Sequence, residues 1–97
     1  MNKKRFNEAG AYLIKTTGEV TEIKPANGKD FSLEELQGYV DGLIEATQTE
    51  DGRTLIVNEE GKLNELDLNV TATELYNRPF DVIVGNAILI NKEELFN

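Results

Sequence analysis

The chain contains no histidine, no cysteine and no tryptophan, and Ser32 is its one serine. Without thiols there is no disulfide and no thiolate nucleophile, and without imidazole the usual zinc and haem sites fall away. A Ser-His-Asp triad is excluded by the same count. The side chain that most often shuttles protons near neutral pH is missing as well. Carboxylate, lysine and tyrosine chemistry remains, with Mg²⁺ as the conceivable metal. The expectation is a protein that is not an enzyme, with no cofactor, no metal and no catalytic residue. Apolar runs of the ~18 residues needed to span a membrane are also missing. The basic start, residues 1–5, is not followed by the apolar stretch of a secretory signal. The protein is therefore expected in the cytoplasm, without a membrane partner.

Positive charge is scarce. Ten Lys and Arg stand against eighteen Asp and Glu, a formal charge of −8 over 97 residues. Residues 30–60 hold Asp30, Glu34, Glu35, Asp41, Glu45, Glu50, Asp51, Glu59 and Glu60 against Arg53 alone. Direct binding to duplex nucleic acid needs the opposite sign. An acidic face can instead imitate a phosphate backbone toward a DNA-binding protein, although charge runs more often serve solubility. Hydrophobic content of 39% with 29% charged residues fits one globular domain over residues 1–97. Residues 1–8 are expected to form a flexible N-terminus.

Residues 11–15 and 19–24 alternate as two strands joined through Thr17 and Gly18, with Pro25 ending the second and Asn27-Gly28 turning the chain. A helix is predicted from Ser32 to about Thr47. Ser32 with Glu35 forms a capping box, and Phe31 with Leu36 occupies the positions of a hydrophobic staple. Leu33, Leu36, Tyr39, Val40, Leu43 and Ile44 recur at helical spacing. Gly38 and Gly42 then project opposite that apolar stripe, near Glu34 and Glu45. Each glycine costs a helix about 1 kcal/mol relative to alanine, so a subunit, a ligand or another part of the chain is expected to approach that face.

Residues 53–57 read as a strand, with 58–61 turning on a positive-φ Gly61 and Lys62-Leu63 starting a return strand. Thr71 with Glu74 forms a second capping-box pattern for a short helix through Tyr76, closed by Pro79. Residues 80–90 are apolar on both alternating sets, as in a central buried strand bulged at Gly85-Asn86, with a two-residue hairpin there as the alternative. Asn91, with Glu94 three residues on, is predicted to cap a last helical turn. The fold class is α+β: a mainly antiparallel sheet of four or five strands with one main helix packed on one face.

Asn58, Glu59, Glu60, Gly61 and Lys62, followed by Asn69, Thr71 and Thr73, form a cluster of amides, hydroxyls, carboxylates and one ammonium suited to a polar ligand. A hairpin turn and a helix cap explain most of the same residues. Residues 36–45, the run Val57-Asn58-Glu59-Glu60-Gly61-Lys62-Leu63, Asn69 with Ala72-Thr73, and residues 83–86 together resemble a family of small proteins defined only as a domain of unknown function. Its members are carried by phages and other mobile elements. Asp41 departs from the pattern, in which glycine precedes Gly42. The resemblance implies a context of host manipulation and transfers no activity and no catalytic residue.

Two functions from different classes follow. One is a non-catalytic sponge for a nucleotide-derived host signal, expected to be a homo-oligomer. Its ligand contacts are Asn58, Glu60, Lys62, Asn69, Thr73 and Arg53, and its subunit interface runs through Gly38, Gly42, Glu34, Asp41 and Glu45. The other is an acidic inhibitor or DNA mimic acting on a host protein. A hydrolase using Glu59 and Glu60 with Mg²⁺ ranks third, because adjacent carboxylates on an extended chain diverge.

Overall fold

Five short strands and two helices account for the secondary structure in the computed structural model, which describes residues 9–96. Residues 1–8, expected to be a flexible terminus, lie outside the described residues. The strands are β1 (Ala11–Ile14), β2 (Val20–Glu22), β3 (Ile44–Gln48), β4 (Thr54–Asn58) and β5 (Ala87–Ile90). Helix α1 is Leu33–Val40, α2 is Val70–Leu75, and a 3-10 turn follows at Glu93–Leu95. Every strand pairing is antiparallel, in the order β2-β1-β5-β4-β3. This is the α+β fold expected from the sequence.

β5 lies at the centre, which is why Ala87, Ile88, Leu89 and Ile90 are all fully buried. Alternation along the strands divides the core into two layers. Leu13, Ile56, Ile88 and Ile90 face α1 and meet its buried Leu36 and Val40. Ile14, Leu55, Val57 and Leu89 face the other way, onto Ala72 and Leu75 of α2 and Ile83. Each fully buried leucine or isoleucine adds about 1.5–3 kcal/mol of transfer free energy.

The N-terminus of α1 forms as the capping box requires. The Ser32 hydroxyl accepts from the Glu35 N–H at 3.1 Å, and the Glu35 carboxylate accepts from the Ser32 N–H at 2.9 Å. Its other end differs from the sequence expectation by seven residues. The helix stops at Val40, Asp41 takes a left-handed conformation with φ 63°, and residues 44–48 become β3 rather than two further turns. Gly42 is consequently not on the helix at all. A side chain there would meet the Asn58 amide nitrogen at 2.9 Å, so glycine serves an approach within the same chain. Gly38 does sit on the exposed helix face, with open space around it.

Several other expectations are corrected. No strand returns at Lys62-Leu63; residues 59–65 form successive turns, because both edges of β4 are already occupied by β3 and β5. Gly61 does not have positive φ; it is required because a Cβ would lie 2.9 Å from the Val84 side chain. Helix α2 is capped by Asn69 rather than Thr71, and the 3-10 turn has Lys92 at its N-cap position, without a side-chain cap bond. The continuous strand over 80–90 is reduced to Ala87–Ile90, with Gly85 bending the chain at φ 79° and Val84 making only an isolated bridge to Leu68. Neither the expected bulge nor a hairpin forms at Gly85-Asn86.

Candidate functional site

A cleft of about 220 Å³ opens on the α2 side of the sheet, where β3 and β4 meet the turns after β4 and the segment after α2. Glu45 and Thr47 of β3 and Val57 of β4 line it; these residues share a face because Glu45 is in register with Val57. Asn58, Glu59, Gly61, Lys62 and Leu63 form one wall. Tyr76, Arg78 and residues 81–84 form the other. The Lys62 ammonium joins the walls by an ion pair and hydrogen bond to Asp81. Asp81 also accepts from the Val82 N–H at 2.8 Å. The Lys62 contact foremost, and then the Val82 N–H, hold the Asp81 carboxyl below the ordinary aspartate range.

The sequence-predicted ligand contacts do not converge there as a set. Lys62 and Asn58 line the cleft, while the exposed Glu60 stands beside it outside the lining. The Asn58 carboxamide is committed at both ends. Its nitrogen donates to the Val40 carbonyl at 2.9 Å and the Asp41 carbonyl at 3.3 Å, and its oxygen accepts from the Glu60 N–H at 2.8 Å. Asn58 therefore fastens the end of α1 to the cleft wall.

Asn69 and Thr73 lie deeper. The fully buried Asn69 caps α2 by accepting from the Ala72 N–H at 3.0 Å and donates to the carbonyls of Ile14 and Gly85, both at 2.9 Å. The Thr73 hydroxyl accepts from the Ile83 N–H at 2.8 Å and so anchors the far wall. Arg53 sits at the opposite end of β4, a strand length of about 17 Å from Asn58, where it contacts Asp51 and Asn91. In that hairpin turn Thr49 and then Arg53 hold the Asp51 carboxyl below its usual range.

The residues proposed as an interface are likewise divided. Glu34, Gly38 and Asp41 are exposed on α1 and its C-terminal end, whereas Glu45 projects from the other face of the sheet into the cleft. Missed in the sequence were Tyr76, Arg78 and Asp81, whose shared wall arises from the 76–84 segment folding back over β4. The one available signal was Arg78-Pro79, a turn dipeptide between two polar groups. No cluster of three or more carboxylates positioned to hold a metal occurs among the described residues. No helix among them is long and apolar enough to cross a membrane.

The structure is thus a small α+β domain with a core layer on each face of a five-stranded antiparallel sheet and a lateral, mixed-charge cleft. The chain belongs to the family described as Domain of unknown function (DUF3846), which it matches over residues 10–96. Neither a curated protein nor a solved structure matches it.

Proposed function

We propose that the protein is a non-catalytic binder that captures a nucleotide-derived ligand in this cleft, and that it serves a phage or mobile element by withdrawing a host signal. The observation that carries this is the meeting of two cations, Lys62 and Arg78, with an aromatic Tyr76 and a polar wall in one concavity. The Lys62 ammonium has three donors, so its bond to Asp81 leaves two for a phosphate oxygen.

Charge narrows the ligand. Against these two cations the cleft sets Glu45, Glu59 and Asp81, which disfavours a polyanion. A phosphodiester or cyclic nucleotide carries one negative charge per phosphate and fits better than a triphosphate, with its hydroxyl and amino groups donating to the glutamates. A volume of about 220 Å³ is below the roughly 300–1,000 Å³ of ordinary small-molecule pockets. The ligand is therefore only partly enclosed by one chain, and the working form is a homo-oligomer. Thermal-shift titration with cyclic and linear nucleotides tests the assignment. Lys62→Ala loses the ligand-induced rise while its ligand-free melting temperature falls by at most about 5 °C, the worth of its exposed pair with Asp81; an equal rise in the variant overturns it.

A protein target for the same surface is the second reading, favoured by the exposed Leu63 and Val82 in the cleft lining and Phe80 beside them. The acidic DNA-mimic version has weaker support, since Glu34 and Glu45 lie on opposite sides of the sheet.

A further inference from the structure

Resting on the reading that this cleft is the working surface, we propose that a second copy of the chain docks across its mouth and that Phe80 of each copy closes the other's site. The turn at 78–81 has Pro79 second and Phe80 third, with the Asp81 N–H reaching the Arg78 carbonyl at 3.4 Å. Phe80 has φ 68°, the positive-φ third position that type II turns normally give to glycine or asparagine. A left-handed backbone is strained for a bulky aromatic residue. The single chain offers no compensating burial, because the Phe80 ring is fully exposed at 106%.

The display is also fixed in place. Asp81, the next residue, is tied to Lys62 and to the Val82 N–H. Leu63, 78% exposed, and Val82 extend the same apolar rim. A strained, fixed and wholly exposed aromatic beside an under-sized hollow is a knob next to a hole.

Charge selects the occupant. Among the described residues Arg78 makes no direct ion pair, its charge acting on the neighbouring Asp81 from a distance, and Glu45 and Glu59 across the cleft make none either. One chain thus carries an apolar knob with a cation at its base, on the cleft rim, and a hollow whose Glu45 and Glu59 make no direct ion pair. A two-fold dimer needs such a self-complementary patch, in which each copy gives what the other receives. Across the axis Arg78 meets the partner's Glu59, and Phe80 supplies the aromatic wall on which a nucleobase stacks.

Sedimentation velocity over a dilution series without ligand tests the dimer. Wild type forms a dimer. Phe80→Gly relieves the turn, raising the melting temperature at high dilution by roughly 2–6 °C, while weakening self-association by at least about tenfold. Arg78→Glu and Glu59→Arg are each monomeric alone and recover a dimer when mixed, since both junctions of the mixed dimer then pair opposite charges. Wild type that stays monomeric up to roughly 100 µM, or a Phe80→Gly variant that dimerises as tightly as wild type, overturns the proposal. A monomer that binds a nucleotide also overturns it while leaving the ligand assignment standing. A Phe80-dependent dimer that retains no nucleotide supports the docking and counts against the ligand assignment.

Discussion

A carboxamide buried as completely as that of Asn69 is tolerated only because its oxygen and nitrogen are both bonded, to the α2 cap and to the carbonyls of Ile14 and Gly85. Asn69→Ala removes the cap and leaves two buried carbonyls short of a donor, an expected loss of about 2–4 kcal/mol. Urea unfolding measures it directly. A local signal for this role exists, since an asparagine three residues before the capped N–H is a helix-start pattern, but the Thr71–Glu74 capping-box pattern two residues on competes with it. The other half of the role has no local signal, because Ile14 is 55 residues away. Asp41 offers the opposite case. It holds a left-handed φ of 63° at the end of α1, a conformation that glycine adopts without the Cβ penalty. Asp41→Gly should therefore stabilise the fold by about 0.5–1 kcal/mol, read from the same unfolding curves.

At the scale of elements, three turns are each fastened by one carboxylate held below its ordinary range. For Glu35 the backbone N–H of Ser32 is the main cause, followed by that of Ala26. Asp51 is held first by Thr49 and then by Arg53, and Asp81 first by Lys62 and then by Val82. A lowered folded-state value means that stability is present above the unfolded value, near 4 for these acids, and lost as pH falls through the folded one. The melting temperature should thus hold steady down to roughly pH 5 and decline below about pH 4. Asp51→Asn should flatten part of that decline; an unchanged acid slope would contradict the role given to the 49–53 turn. These turns also show why the helix was read too long. Leu43 and Ile44 continue the helical spacing, but Asp41 and Gly42 break the backbone, and Asp51-Gly52 turns the chain between β3 and β4. Periodicity counts side chains, whereas this boundary is set by backbone conformation and by β4 being available to pair.

For the whole molecule, class and composition were legible and assembly was not. Alternation identified an antiparallel sheet with a helix on one face, yet the order β2-β1-β5-β4-β3 depends on long-range pairings that no local pattern encodes. The site suffered the same way. Asn58 and Lys62 line the cleft while Asn69 and Thr73 lie deeper in the structure, and of the four only Lys62 offers free donors to the cleft. Arg78 and Tyr76 join it through the return of the 76–84 segment, and Arg53 is carried to the far end of β4. The most direct measurement of the central claim is native mass spectrometry of the protein with a panel of cyclic and linear nucleotides. A capturing protein retains one nucleotide unchanged in mass, and Lys62→Ala does not. A protein that retains none of them, or that releases a chemically altered product, contradicts the account.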